Sequence, residues 1–185
     1  MGIRCSATRE LIFEDCRIPK ESLIGREGSG FIEAMRTWDY SRPGIGAQAV
    51  GIAQGALEEA VSYAKSRTQS GYPISSFQAI QHMLADMATE LEAARALVYA
   101  VARAIDARAK NFSHEAAMAK LFASEMAMKV TNVAVRILGD VGYTHDYPVE
   151  KMLRDAKITE IYEGTSEIQK NTIASGLIRR GAKRK

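Results

Sequence analysis

A run of apolar residues spaced alternately by three and four positions is the feature that most constrains the fold of this chain. It contains Phe77, Ile80, Leu84, Met87, Leu91, Ala94, Val98, Val101 and Ile105. A mean period of 3.5 residues places one apolar stripe along a helix and favours packing against other helices at small crossing angles. The stripe therefore predicts a bundle helix, and it leaves open whether the partner helices belong to the same chain or to another copy. The Ser75-Ser76-Phe77-Gln78 sequence fits a capping box that would start this helix.

A second long helix is predicted before this one. Apolar residues share one of its faces, at Ile45, Ala49, Ile52, Ala56, Ala60 and Tyr63. Pro43 lies in its interior and predicts a kink, because proline lacks an N–H donor and crowds the carbonyl of Asp39 four residues back.

Helical sequence continues to the end of the chain. A third helix is predicted from the candidate cap Ser113 to Leu138, with Gly139 as its stop. Pro148 suits the first turn of a short fourth helix, and the sequence 166–169 forms a Ser-x-x-Gln capping box for a final helix.

The N-terminal part has a different pattern. Residues 3–18 alternate in polarity around Leu11-Ile12-Phe13 and predict two short strands ended by Pro19. Because two strands alone are marginal in water, we expect residues 1–26 to be the last strands of a β domain, followed by a helical domain over residues 27–185. The predicted fold is mainly α, an up-and-down four-helix bundle preceded by a short β remnant.

Composition excludes several classes of protein. The chain has 185 residues, 46% of them hydrophobic, and no apolar run long enough to span a bilayer. Its net charge is only +3, with the excess mostly in the tail 179–185, which has no interleaved aromatic residues and so does not favour nucleic-acid binding. The histidines match no metal-ligand spacing, so no metal site is predicted. Cys5 and Cys16 form no CxxC motif, which suits reduced thiols in the bacterial cytoplasm or the mitochondrial matrix.

Two stretches carry a family resemblance, residues 154–169 with the sequence RDAKITEIYEGTSEIQ and residues 77–81 with the sequence FQAIQ. With them, residues 2–178 resemble the C-terminal region of the acyl-CoA dehydrogenases. Members of that family have an N-terminal helical domain, a middle β domain and a C-terminal four-helix domain, and are usually tetramers. The resemblance implies that the segment preceding Met1 is missing, including most of the β domain that holds the flavin ring, so this chain alone is expected to be inactive.

The resemblance implies FAD-dependent dehydrogenation of an acyl-CoA, with electron-transferring flavoprotein as acceptor. Glu163 matches the base that removes the α-proton while the β-hydride passes to flavin N5, and its backbone N–H helps to polarise the thioester carbonyl. On pattern alone, Glu163 is an acidic residue near a helix N-terminus. Some members carry the base immediately before the arginine that matches Arg42, but here that position is Ser41, which leaves Glu163 as the candidate.

The resemblance also implies a substrate contact segment. Its members are Asp39, Tyr40, Ser41 and Arg42, together with Gly164 beside the base. Asp39 and Arg42 are three residues apart on a helix, so the simpler interpretation is an intrahelical ion pair.

Cofactor contacts are implied at four places along the chain. The matching residues are Arg67, Gln69, Gln78, Arg136, Ile137, Leu138, Gly139, Asp140, Thr165, Ser166 and Glu167. Arginine suits a pyrophosphate because its fork forms paired, charge-assisted hydrogen bonds. Two departures from the family pattern, Ser70 in place of an aromatic residue and Asp140 in place of a glycine, predict weaker flavin binding or a different flavin pose.

Three alternatives stay open at this level. One is a relative that uses another electron acceptor, such as an oxidase, and one is a decarboxylating enzyme of the glutaryl-CoA type. The third is a non-catalytic helical bundle that serves as an assembly module. Short or medium acyl groups are preferred only because the base position resembles that of enzymes acting on them.

Overall fold

The computed structural model describes residues 1–182, with side chains described through Ile178. The basic side chains of the tail, considered above for nucleic-acid binding, lie outside this range. The described helices are α1 Gly30–Ser66, α2 Gln78–Asp106, α3 Ser113–Leu138, α4 Val149–Thr159 and α5 Ser166–Ala182, with short 3-10 segments at Lys20–Ser22, Ile74–Ser76 and Gly139–Tyr143. Strands β1 Thr68–Gln69 and β2 Tyr72–Pro73 form a small antiparallel hairpin after α1.

Helix α3 lies at the centre of the bundle and packs against α1, α2, α4 and α5. Small side chains line its contact with α1, and the fully buried alanines include Ala53, Ala56 and Ala60 of α1 and Ala116, Ala119, Ala123 and Ala127 of α3. Alanine at these positions lets the two helix backbones approach closely. The predicted helical bundle is confirmed.

The apolar stripe of α2 is buried within the chain itself. Met87, Leu91, Ala94, Val98 and Val101 are all buried, while Ile80, Leu84 and Ile105 are partly buried against the same core. Phe77 is 38% exposed and precedes the helix. A single chain therefore provides the partner helices for most of the stripe.

The predicted capping boxes are wrong. Helix α2 begins at Gln78 with Phe77 as its N-cap and no side-chain cap, and the nearby Gln81 side chain instead donates to the Ser75 carbonyl at 3.0 Å. At α3 the N-cap is Phe112, and the Ser113 hydroxyl donates 2.8 Å to Asp39 of α1. At α2 the Ser76 hydroxyl of the predicted box donates to the Pro73 carbonyl at 2.7 Å, and at α3 the hydroxyl expected to cap the helix binds a side chain of another helix.

The predicted helix boundaries are otherwise close to the observed ones. Gly139 ends α3 with a φ of 69°, a conformation that glycine adopts without strain. Pro148 is the N-cap of α4. Helix α1 continues without a break in its assignment through Pro43, which is buried in the bundle, and the kink expected at this residue stays a prediction.

Residues 1–29 form no strand, so the two strands predicted over residues 3–18 are not observed, whereas the assignment of residues 1–26 to a β domain stays a prediction. A strand requires a partner for its backbone hydrogen bonds, and the described residues provide none there. The start of this segment is fixed on α4, where the Ile3 N–H donates 2.6 Å to Asp155 and Arg154 donates 2.8 Å to the Met1 carbonyl. Farther along, the apolar side chains are exposed, including Leu11, Ile12, Phe13, Ile18 and Ile24.

The β1–β2 hairpin was not predicted from the sequence. Its turn residues Ser70 and Gly71 both have positive φ values, 53° and 85°, as a two-residue hairpin turn of type I′ requires. Across residues 1–182, no helix is long and apolar enough to cross a membrane, and no group of three metal-ligating side chains converges.

Candidate active site

Glu163 lies in the turn between α4 and α5, two helices that pack one after the other along α3. Its φ is 54° and that of Gly164 is 96°, so two successive left-handed residues turn the chain between the helices. A side chain at Gly164 would displace the Gln169 amide, because its Cβ would lie 2.5 Å from Nε2 of Gln169. The turn thus places a carboxylate at a point where the helical ladder is interrupted.

Two fully buried side chains hold the carbonyl groups of this turn. Nε2 of Gln169, in α5, donates to the carbonyls of Glu163 and Gly164, each at 3.0 Å. Nζ of Lys120, in α3, donates to the Gly164 carbonyl at 2.7 Å. The backbone that carries Glu163 is therefore fixed from two helices.

Lys120 is the most strongly perturbed cation near this turn. Burial lowers its pKa from 10.5 to about 8, and the nearby Arg42 lowers it too, while the carboxylates of Glu160, Glu163 and Glu167 act in the opposite direction. Desolvation outweighs the attraction of the three carboxylates.

The side chain of Glu163 is half-buried and points towards α1. Its Oε2 accepts a hydrogen bond from Ser41 Oγ at 2.5 Å. The two positions considered for the base in the sequence, 41 and 163, therefore lie side by side. A carboxylate held by one hydroxyl and still partly accessible can accept a proton from a ligand.

Asp39 and Arg42 form the intrahelical ion pair that the simpler interpretation predicted. Nη1 of Arg42 lies 2.6 Å from Oδ1 of Asp39, and the same oxygen accepts the hydrogen bond from Ser113. The Arg42 side chain is only 1% exposed, and its Nε has no partner among the described residues. Substrate contact by these two residues stays a prediction.

A cavity of about 950 Å³ opens beside the same segment of α1. Asp39 and Tyr40 line it, and the Tyr40 ring stacks edge-to-face on Phe112 with centroids 4.9 Å apart. Its remaining lining includes the basic residues Arg36, Arg108 and Lys110. One short stretch of α1 therefore contributes both to the wall of a basic cavity and, through Ser41, to the surroundings of Glu163.

The candidate cofactor residues fall into two groups. The first lies at one end of the bundle, where α1 and α3 end and α2 begins, and contains Arg67, Gln69, Gln78, Arg136, Ile137, Leu138, Gly139 and Asp140. The second, Thr165, Ser166 and Glu167, starts α5 beside Glu163. Leu138 is 18 residues along α3 from Lys120, which touches the Glu163 turn, so the groups are about 27 Å apart along the axis.

In the first group, the cationic side chains are free to meet an anion. Arg67 and Arg136 are exposed, whereas Ile137 and Leu138 are buried in the core. Asp140 turns its carboxylate towards the backbone, where Oδ1 accepts the Val141 N–H at 3.0 Å.

In the second group, Thr165 rather than Ser166 caps α5. Thr165 Oγ1 accepts the Ile168 N–H at 3.4 Å, so the predicted Ser166–Gln169 capping box is wrong here as well. The Ser166 hydroxyl is buried and has no partner among the described residues. A buried hydroxyl without a partner, next to exposed Glu167, suits a polar ligand atom that completes its hydrogen bonding.

Sequence reasoning missed Lys120, Gln169 and Gln48, the last of which accepts a hydrogen bond from the Tyr162 hydroxyl. Gln169 was interpreted as part of a helix cap, but its amide reaches back to the turn. The signal for Lys120 was present, since it follows Ala116 and Ala119 and precedes Ala123 on the small-residue face of a helix. A lysine on such a face is expected to be buried, and its ammonium group then needs a hydrogen-bond acceptor.

The comparisons with known proteins agree on one family. The acyl-CoA dehydrogenase C-terminal domain profile matches residues 28–178. Acryloyl-CoA reductase (NADH) of Anaerotignum propionicum is 56% identical over 97% of this chain and 45% of its own length. The mitochondrial short-chain specific acyl-CoA dehydrogenase of Mus musculus is 54% identical over 97% of this chain and 43% of its own length.

A solved structure shows the same fold. A chain from work on the electron transferring flavoprotein of Acidaminococcus fermentans superposes with a TM-score of 0.88 at 55% identity, covering 91% of this chain and 44% of that chain. The chain thus spans less than half the length of these relatives. Because its sequence and fold both match, the chain belongs to the acyl-CoA dehydrogenase family, whose C-terminal domain it contains.

Proposed function

We propose that the protein catalyses FAD-dependent α,β-dehydrogenation of an acyl-CoA thioester, with Glu163 as the base. The observation that carries this proposal is the position of the α1 segment 39–42. Its residues line the basic cavity on one side and, through Ser41, hold the Glu163 carboxylate on the other. Ser41 and Glu163 do not line the cavity themselves, so the acyl end of the ligand is proposed to extend beyond the cavity, past Ser41, to the carboxylate.

The cavity matches the chemistry of coenzyme A. The phosphates of coenzyme A would meet the positive charges of Arg36, Arg108 and Lys110, and the adenine of coenzyme A would contact the Tyr40–Phe112 pair. Asp39 lines the cavity directly, while Arg42 is buried and is proposed to hold Asp39 in place. The thioester then lies near Gly164, and a short acyl group is favoured by the similarity to the mouse short-chain enzyme.

In the proposed reaction the Glu163 carboxylate removes a proton from Cα as a hydride leaves Cβ, which gives the α,β-unsaturated thioester. The Ser41 hydroxyl orients the carboxylate by its hydrogen bond. FAD, when bound, supplies the hydride acceptor at N5. The backbone N–H of Glu163 is proposed to polarise the thioester carbonyl, which acidifies the α-proton.

The two groups of cofactor residues support an oligomer. They are about 27 Å apart along α3, so the start of α5 is proposed to bind the FAD that serves this active site. Arg67, Gln78 and the end of α3 are proposed to bind the dinucleotide of a neighbouring copy, within a homotetramer. The exposed cations at that end suit a pyrophosphate.

Two electron-transfer partners, one an acceptor and one a donor, are proposed from the relatives. Electron-transferring flavoprotein is proposed as the partner, in the bacterial cytoplasm or the mitochondrial matrix. A second candidate is reduction of an unsaturated acyl-CoA with electrons from NADH, which the similarity to acryloyl-CoA reductase (NADH) favours. Steady-state assays with each electron carrier in both directions distinguish the two.

The Glu163→Gln variant of the intact protein tests the base. We expect turnover to fall by about 10²–10⁴-fold, because an amide cannot accept the α-proton, while bound flavin and melting temperature stay unchanged. Glu92→Gln is the matched control, since Glu92 is an exposed carboxylate of α2 that pairs with Arg95 on the same helix. Retention of more than a tenth of the turnover by Glu163→Gln rules out this assignment.

A further inference from the structure

We propose that Lys120 is a positioning residue that, together with Gln169, fixes the Glu163–Gly164 backbone and thereby the direction of the Glu163 carboxylate. This inference rests on the function proposed above, because it assigns Lys120 a role towards the base. Lys120 does not touch the substrate in this arrangement. It acts through the Gly164 carbonyl, to which it donates at 2.7 Å.

The turn needs to be held because its conformation is unfavourable. Glu163 has a φ of 54°, a backbone conformation that residues other than glycine rarely adopt unless surrounding contacts support it. Three hydrogen bonds from two buried side chains, one in α3 and one in α5, end on its two carbonyls. Loss of one donor gives the turn freedom to relax and to move the carboxylate away from Ser41.

A purely structural role explains Lys120 poorly. Burying an ammonium group in a bundle is costly, and a methionine of similar length would fill the same space without that cost. Gln169 alone already supplies a donor to each of the two carbonyls. The ammonium group of Lys120 instead contacts the carbonyl of Gly164, the residue after the proposed base, which favours a role in positioning that base.

The charged groups around Lys120 come from each element packed against it. Arg42 lies on α1, Glu160 and Glu163 lie in the turn after α4, and Glu167 lies on α5. With its pKa at about 8, Lys120 is mainly protonated at neutral pH and loses its proton under mildly alkaline conditions. A neutral amine is a weaker donor than an ammonium, so the turn is held less firmly above that pH.

Lys120→Met in the intact protein tests the positioning role, with Lys129→Met as the control on the same helix, where Lys129 is exposed and pairs with Glu90. We expect a 10- to 100-fold loss of kcat with KM changed less than threefold. A displacement of the Glu163 carboxylate by about 1 Å slows proton removal but leaves substrate binding nearly unchanged. The decline of kcat near pH 8 should disappear in Lys120→Met and persist in Lys129→Met. A kcat within twofold of the unsubstituted protein, or an unchanged pH profile, overturns the proposal.

A second variant separates the two donors. Gln169→Leu removes the bonds to both carbonyls but leaves Lys120 in place. Gln169→Leu should lower kcat and keep the decline of kcat near pH 8. This test does not depend on the folding of Lys120→Met. Loss of that decline in Gln169→Leu contradicts the assignment of the titration to Lys120.

Hydrogen exchange gives a readout that does not depend on catalysis. Amides of residues 160–166 should exchange at least tenfold faster in Lys120→Met than in Lys129→Met, and equal rates overturn the proposal. If Glu163→Gln remains active while exchange in this turn still responds to Lys120→Met, the proposed base fails but the clamp on the turn stands. The two failures are thereby distinguishable.

Discussion

Replacing Gly176 by alanine is a sharp test of how α5 packs on α3. An ideal Cβ at Gly176 would lie 1.5 Å from Nε2 and 1.6 Å from Cδ2 of His114. Ordinary contact is at least 3.4 Å, so the imidazole must move by about 2 Å. His114 also lines the cavity of about 950 Å³, which gives the ring room to move. We therefore expect the cost to lie in the usual range for overpacking, about 1–3 kcal/mol.

Gly51→Ala is the matched control. Gly51 is also in a helix, but apart from its chain neighbours and the backbone of its own helix no described atom lies within 4 Å of its ideal Cβ. Alanine there should raise the free energy of unfolding by about 0.5–1 kcal/mol, because glycine is the poorer helix former. The same substitution is thus expected to have opposite signs at the two positions.

A double-mutant cycle assigns the effect to one contact. In a His114→Ala background the obstacle is gone, and Gly176→Ala should behave like Gly51→Ala. Urea unfolding followed by circular dichroism of the intact protein measures all four free energies. The expected coupling between the two positions is about 1.5–4 kcal/mol, because the overpacking cost and the helix-propensity gain add in the difference. If Gly176→Ala stabilises the protein as much as Gly51→Ala does, the described packing of α5 on His114 is wrong.

Two further predictions concern pH. Because the pKa of Lys120 is about 8 in the folded protein and 10.5 when unperturbed, the unfolded chain binds more protons between these values, and stability should rise with pH by about 3 kcal/mol across them. Urea titrations from pH 7 to 11 should show this rise, and a Lys120→Met variant with the same slope would contradict it. Burial alone would raise the pKa of Asp155, but hydrogen bonds from Lys151 and the Ile3 N–H outweigh it and hold the pKa below its ordinary value. The stabilisation from this carboxylate is therefore present above about pH 4 and is lost as pH falls further, which should release the N-terminal segment. Hydrogen exchange of residues 1–6 should accelerate on acidification, and Asp155→Asn should accelerate it already at neutral pH; unchanged protection in that variant would show that the anchor lies elsewhere.

The bundle could be predicted from the sequence because the buried face of a long helix appears in the sequence as apolar residues spaced three or four positions apart. The α2 stripe specified a buried face, and Gly139 and Pro148 lie at helix ends where their backbone properties fit. The N-terminal strands could not be predicted reliably, because alternating polarity describes an extended segment but not the partner needed to pair with it. The Ser70–Gly71 hairpin was missed because it is only six residues long and lacks an apolar pattern.

The site was only partly predictable. The segment 39–42 and Glu163 are 121 residues apart in sequence, and their junction through Ser41 depends on how α1 and α3 position the α4–α5 turn. Helix caps failed where a tertiary acceptor competed, as at Ser113, which binds Asp39, and Gln169, which binds the turn. Local sequence patterns identify the polar side chains, but their hydrogen-bond partners are determined by the tertiary structure.

The unbroken course of α1 through Pro43 has a mechanical consequence. Tyr40 at the cavity and Arg67 at the opposite end of the bundle belong to one rod, and they are about 40 Å apart along its axis. Tilting such a rod by one degree about either end shifts the other by about 0.7 Å. Any tilt of α1 caused by a ligand in the cavity would therefore be largest at the end next to Arg67, and the alanine contacts between α1 and α3 would have to accommodate it.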